Sequence, residues 1–305
     1  MNTLITHALG ATQDELQQLT QLGLTITVHP DERAPVVHPE QYEAVICNGL
    51  FQFHDIHSFS NLRFIQLTSA GMDRLPMDDI HARGIRVFNA AGVYAVPMAE
   101  WTILALLEIY RSARFFLENQ AASRWEKNRS LEELCGKTAC IVGFGAYGQE
   151  VARRLGAFGV RRIVVNRTPY HGPLAEASFP LSNLDEVLPQ ADLVILALAL
   201  TPQTQHVLGR RQLALMRPDA VIVNAARGAL VDEAALIEAL AENRLRGAAL
   251  DVFEAEPLPL DSPLWTDPRV YVFPHNAFAG NGTHRRMMDL IQKQITDYCR
   301  TGGSL

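Results

Sequence analysis

The chain has 305 residues, of which 48% are apolar, and its 27 Lys and Arg against 33 Asp and Glu leave a net charge of -6. That length and apolar share can supply two cores, while the mild negative charge, with no basic block or aromatic-interleaved basic stripe, argues against nucleic acid as a partner. Cys47, Cys135, Cys140 and Cys299 form no C-x-x-C pair, which suits a reduced cytoplasmic protein better than a disulfide scaffold.

The opening MNTLITHALGATQDE has no basic stretch followed by a long apolar one, so no signal peptide is expected. Short apolar runs follow at Thr3 to Thr6, Leu24 to Val28, Ala44 to Cys47, Phe64 to Leu67 and Ile85 to Phe88. Between them lie helical or turn-rich segments at Asp14 to Leu22, Asp55 to Phe59 and Met77 to Arg83, an alternation that predicts a small parallel α/β domain of about five strands. Within it, Ser69-Ala70-Gly71 follows a strand, and its consecutive N–H groups can form an anion-binding nest; a plain turn is the alternative. Val96 to Leu117 is apolar nearly all round its first half, the pattern of a helix buried between layers or domains.

After a polar stretch containing Trp125 the alternation resumes, with strands expected at Ala139 to Val142, Arg162 to Val165, Leu193 to Leu198, Ala220 to Val223, Ala248 to Asp251 and Val270 to Val272. Helices are expected at Tyr147 to Phe158, Asn183 to Leu188, Arg210 to Met216 and Glu233 to Glu242, and again at Asn281 to Cys299, where Met287, Leu290, Ile291 and Ile295 share one face. Six strands in this order suit a doubly wound sheet. Leu193 to Leu200, the longest purely apolar run, is too short to span a bilayer, so no membrane association is expected.

The most informative stretch is the turn between the first two strands of this half, Gly143-Phe144-Gly145-Ala146-Tyr147-Gly148. It is a G-x-G-x-x-G with a strand before it and a helix and second strand after it, the setting in which the motif means dinucleotide binding. The first glycine permits the tight turn, the second lets the backbone approach a pyrophosphate, and the third allows close helix–strand packing; the helix N-terminus then offers N–H groups to phosphate. At the end of the second strand an Asp or Glu would bind the adenine ribose, yet this chain has Asn166-Arg167-Thr168. No carboxylate is present and a guanidinium is, so NADP is favoured and NAD remains open, with Asn166 able to bond a ribose hydroxyl.

Four segments in order, GFGAYG at 143–148, NAARGALVDEAAL at 224–236, ALDVFEAEPLP at 249–259 and FPHNAF at 273–278, resemble the D-isomer-specific 2-hydroxyacid dehydrogenase family. In the first half, LTSAGMDRLP at 67–76 and NAAGVYAVPMAEW at 89–101 are similar to that family's substrate loop and to the start of its interdomain helix. The resemblance implies a Rossmann coenzyme domain at 99–278 and a smaller flavodoxin-like substrate domain, discontinuous in sequence, at 1–98 and 279–305. Sequence pattern alone would set the boundary near residue 130.

Arg227 and His275 each follow an expected strand, which puts both at the C-terminal edge of a parallel sheet, where such sheets bind ligands. The resemblance makes Arg227 the grip on a substrate carboxylate and His275 the general acid of reduction, with Glu256 as its partner. Glu254, two residues earlier, is a competing carboxylate, and the second glutamate of E-x-E-P matches the family. Asp251 resembles the aspartate that holds the nicotinamide carboxamide, although a strand end would also use an Asp; Leu198, Ala225 and Ala226 match cofactor-wall positions. By resemblance Ser69, Ala70 and Gly71 hold the substrate carboxylate opposite Arg227, and Leu50, Phe51 and Tyr94 shape a side-chain pocket. His54 and His57 stand three apart, but no further ligands accompany them, so no metal is expected.

The activity implied is hydride transfer between NAD(P)H and a small 2-keto acid such as glyoxylate or hydroxypyruvate, giving a D-2-hydroxy acid, in a homodimer formed through the coenzyme domains. Two alternatives stand beside it. One is phosphoglycerate dehydrogenase-type oxidation, disfavoured because no regulatory domain follows the last helix. The other is a nucleotide-sensing, non-catalytic binding protein like the corepressors of the same fold. Formate dehydrogenases carry glutamine at the position of Glu256, which argues against that activity.

Overall fold

The computed structural model describes residues 1–301. Two compact units emerge, one formed by Met1–Tyr94 together with the segment beginning at Gly280, the other by Ala95–Ala279.

The first unit is built on β1 (Asn2–Thr6), β2 (Thr25–His29), β3 (Ala44–Cys47), β4 (Phe64–Leu67) and β5 (Arg86–Phe88), all parallel in the order β2-β1-β3-β4-β5. This is the flavodoxin-like order. The central strands β3 and β4 are wholly buried, as expected of near-continuous apolar runs covered on both faces. Helix α1 (Gln13–Gln21) starts at a capping box in which Thr12 and Glu15 satisfy each other's backbone N–H groups, and α2 (Met77–Ala82) precedes β5. The C-terminal helix, Thr283–Arg300, returns to this unit and buries Met287, Met288, Ile291 and Ile295 in one core with Ile5, Ile46 and Phe64.

The second unit holds β6 (Thr138–Val142), β7 (Arg161–Asn166), β8 (Ala177–Pro180), β9 (Leu193–Leu196), β10 (Val221–Asn224), β11 (Gly247–Leu250) and β12 (Val270–Val272). All are parallel, in the order β12-β11-β10-β9-β6-β7-β8. Counted from β6 this is the Rossmann order 3-2-1-4-5-6 with a seventh strand added at the edge. The sequence pattern yields six strands here; the missed one, β8, is a half-buried edge strand of four residues ending in proline. An edge position tolerates Pro because one side of the ladder is unpaired, and half-burial leaves no apolar run to read.

The single helix expected over 96–117 is two, α3 (Ala95–Tyr110) and α4 (Ala113–Ala121), separated by Ser112 in the left-handed region at φ 51°. Tertiary contact supplies the reason for the break. After the turn, Arg114 donates to the carbonyls of Pro268 and Val270 and lies 4.8 Å from the Tyr271 ring centroid, anchoring α4 beside the start of β12. Ala99, Ile103, Leu106 and Tyr110 of α3 share a core with Val151, Ala152 and Leu155 of α5 (Ala146–Ala157), on one face of the sheet. The helices α6 (Leu184–Val187), α7 (Arg210–Leu215) and α8 (Glu233–Ala241) belong to the other core, which includes Val194, Ile222 and Ala248.

Candidate active site

The strand order reverses between β6 and β9, and the glycine turn lies at the carboxyl ends of that pair. Gly143 has φ +97°, and a methyl group placed there would lie 2.5 Å from the Ala197 carbonyl and 2.6 Å from the Leu198 nitrogen. At Gly148 the same methyl would meet the Gly143 carbonyl oxygen at 2.4 Å. These two glycines are required by packing. Gly145 is different: nothing lies within 4 Å of the space a methyl would take. It is also the N-cap of α5 and contributes no side-chain cap, so the first N–H groups of the helix, from Ala146 onward, point out at this turn. Open room beside a bare helix N-terminus fits a dinucleotide pyrophosphate, which needs close backbone approach and N–H donors.

Tyr147 turns its side chain inward, its hydroxyl 2.7 Å from the Thr102 hydroxyl, and Thr102 in turn donates to the Met98 carbonyl. Burial pushes the phenol well above its ordinary value, so at the turn Tyr147 offers its backbone. At the end of β7, Asn166 donates to the Thr168 carbonyl, folding the 166–168 segment back on itself. The exposed Arg167 makes no hydrogen bond or ion pair among the described residues.

Arg227 follows β10 in a loop shaped by buried Asn224, whose Nδ2 donates to the Arg227 carbonyl (2.8 Å) and whose Oδ1 accepts from the Ala226 N–H (3.1 Å). Residue pattern does not single out Asn224, although an Asn closing a strand before a loop is a signal, since its amide can bond backbone two or three residues on. Ala225 is buried and Ala226 half-buried beside it. A methyl on Gly228 would sit 1.9 Å from the Phe253 carbonyl, so this loop lies directly on the segment after β11.

That segment carries both candidate glutamates, and the structure separates them. Glu256 Oε2 is 2.7 Å from His275 Nδ1, while its Oε1 accepts from the Phe253 N–H. Glu254 Oε1 is 2.7 Å from His206 Nε2. His275 has φ 52°, an uncommon backbone for a non-glycine residue. Asp251 holds it there: the two carboxylate oxygens accept from the Asn276 and Ala277 N–H groups at 2.8 Å each. Burial raises the Asp251 carboxyl, against the lowering effect of those two N–H groups. The aspartate therefore secures the loop that presents the histidine.

Arg227, Glu256, His275, Asp251, the glycine turn, Leu198, Ala225 and Ala226 thus all belong to the carboxyl edge of one sheet. Ser69, Ala70 and Gly71 belong to the other unit, just after β4. The Ser69 hydroxyl donates to the Gly71 carbonyl and Asn89 Nδ2 to the Ala70 carbonyl, while the N–H groups of 69, 70 and 71 find no acceptor among the described residues. Leu50 and Phe51 are core residues: Leu50 is fully buried, and Phe51 packs edge-on against Phe59 with ring centroids 5.5 Å apart. Both are packed into the layer beneath the sheet edge. Tyr94 donates to the Thr68 carbonyl. No group of three or more His, Cys, Asp or Glu among the described residues is arranged to hold a metal.

Residues 103–277 match the model of the D-isomer specific 2-hydroxyacid dehydrogenase NAD binding domain. The chain belongs to the D-isomer-specific 2-hydroxyacid dehydrogenase family. Members of that family are NAD(P)-dependent oxidoreductases, and this chain carries their nucleotide-binding domain. A glyoxylate/hydroxypyruvate reductase B of Citrobacter koseri is 32% identical over 309 residues, covering 95% of each chain. A D-3-phosphoglycerate dehydrogenase of Methanocaldococcus jannaschii is 35% identical over 249 residues, 80% of this chain, but this chain spans only 47% of its length. Among solved structures, an NADPH-dependent glyoxylate/hydroxypyruvate reductase from Sinorhizobium meliloti superposes with a TM-score of 0.81 at 26% identity, covering 100% of this chain and 96% of that one.

Proposed function

We propose that the protein reduces a small 2-keto acid of the glyoxylate or hydroxypyruvate kind to the D-2-hydroxy acid, with NADPH preferred over NADH. The observation that carries this reading is the 2.7 Å contact between His275 and Glu256 at the carboxyl edge of the nucleotide-binding sheet, with Arg227 on the neighbouring loop. Bound reduced nicotinamide supplies the hydride. The carboxylate on His275 Nδ1 fixes the ring and leaves Nε2 as the proton donor to the carbonyl oxygen. Arg227 binds the carboxylate through its planar fork and draws charge from the adjacent carbonyl.

Arg167 supports the coenzyme preference: it is exposed, has no partner of its own among the described residues and follows the strand whose end meets the adenine ribose. Trp125, 98% exposed, with Leu104 and Leu117 also exposed, supports a homodimer through this unit, and sedimentation equilibrium giving a monomer mass at micromolar concentration would remove that part of the proposal.

The deciding experiment is steady-state oxidation of NADPH and NADH with glyoxylate, hydroxypyruvate, pyruvate and phenylpyruvate. Turnover with NADPH preferred by about tenfold or more is expected, and Arg167→Ala should erase most of that preference, since losing one charge-assisted phosphate contact costs about 1.5–3 kcal/mol. Nucleotide binding without turnover of any keto acid would instead support the non-catalytic binding protein, and oxidation of phosphoglycerate alone the dehydrogenase alternative.

A further inference from the structure

The E-x-E segment faces two ways, and each glutamate meets a histidine whose backbone lies in the left-handed region. Glu256 pairs with His275 at φ 52°; Glu254 pairs with His206 at φ 50°. The second pair is outside the chemistry described above, yet it ties together the loops that carry it. The His206 N–H donates to the Ala229 carbonyl, two residues beyond Arg227, and Leu208 and Asp232 continue the ladder through Leu208 N to Leu230 O and Asp232 N to Leu208 O. Glu254 Oε1 also accepts from the Glu233 N–H at 3.4 Å, and the Glu254 N–H donates to Glu233 Oε2 at 3.2 Å. Beneath them Gly228 has no room for a side chain against Phe253.

We infer that Glu254 and His206 are positioning residues that fix the loop after β11 against the loops after β9 and β10, so that Glu256 is aimed at His275 and the Arg227 loop keeps its place beside it. The inference rests on the reductase reading for its kinetic consequences and on geometry alone for the tether.

The magnitudes separate this role from plain stabilisation. The His206 and Glu254 side chains are 41% and 38% exposed, and an exposed ion pair adds little to stability. A positional role has more leverage, because a misplacement of about 1 Å can cost on the order of 10²-fold in rate.

The test compares Glu254→Ala, Glu254→Gln and His206→Ala in the full chain. Glu254→Ala is expected to lower kcat for keto-acid reduction by about tenfold, with the KM for NADPH within about twofold and Tm shifted by only a few degrees. Glu254→Gln keeps a carbonyl acceptor for the His206 ring and should restore most of the rate. A readout independent of turnover is the downfield imidazole N–H proton of the His275–Glu256 bond, assigned by its loss in His275→Asn. It should broaden or vanish in Glu254→Ala and persist in Glu254→Gln. Should Glu254→Ala not fold, His206→Ala cuts the same tether from its other end. An unchanged downfield proton with unchanged kcat in either alanine variant overturns the inference, whatever happens to Tm. A wild-type protein that turns over no keto acid removes the reductase reading, and the proton signal still decides the tether.

Discussion

Replacing His275 with asparagine is expected to lower kcat for keto-acid reduction by about 10²–10⁴-fold, the usual contribution of a general acid, with the KM for the nucleotide nearly unchanged. Asparagine is the informative substitution because the residue stands at φ 52°, where Asn is among the few residues tolerated, and Asp251 still holds the N–H groups of 276 and 277. The loop should keep its shape, so the loss reports the missing proton donor. A variant keeping more than about a tenth of wild-type kcat would take proton transfer away from His275.

The parts of this site legible in the sequence are those whose physics is local. A strand closing on Gly143, a glycine at 145 and another at 148 announce a nucleotide turn because backbone conformation and close approach demand glycine at fixed spacing. The strands at Ala44–Cys47 and Phe64–Leu67 match the apolar runs residue for residue because both are buried on two faces. What pattern could not supply depends on distant partners. The strand β8 exists through pairing with β7, and the break between α3 and α4 is tied down by carbonyls more than 150 residues away in sequence. Two glutamates two residues apart are chemically identical until the bends at 254–257 send their side chains to different partners. Only then does Glu256 acquire His275 and Glu254 acquire His206.

The same dependence explains why Asn224 and Gly228 went unread. Each acts on backbone: Asn224 shapes the Arg227 loop by bonding the Ala226 N–H and the Arg227 carbonyl, and Gly228 lets that loop lie on Phe253. Neither carries chemistry to a substrate, so a search for acids, bases and cations skips them. Their effect is to present one arginine at one height above the sheet. If Arg227 grips a carboxylate as proposed, this backbone work matters because bidentate recognition by a guanidinium depends on its placement.

Arg227→Ala is accordingly expected to lower kcat/KM for a 2-keto acid by about 10³-fold, in line with the roughly 2–5 kcal/mol lost when one member of a desolvated, hydrogen-bonded charge pair is removed. The variant loses the guanidinium bond to the Ala226 carbonyl, but the Asn224 bonds to the Arg227 carbonyl and the Ala226 N–H do not use that side chain and should hold the loop. The assignment is sharpened by pairing the variant with an aldehyde that lacks the carboxylate. If the guanidinium acts on that carboxylate, the wild type should prefer the keto acid by a factor similar to the mutational loss, and Arg227→Ala should treat the two substrates nearly alike. The cycle then closes with a large interaction energy. Arg227→Lys keeps the charge without the planar fork and should recover only part of the loss. Equal losses on keto acid and aldehyde would show that Arg227 supports the fold of the edge and does not meet the carboxylate; an undiminished rate would remove it from the site altogether.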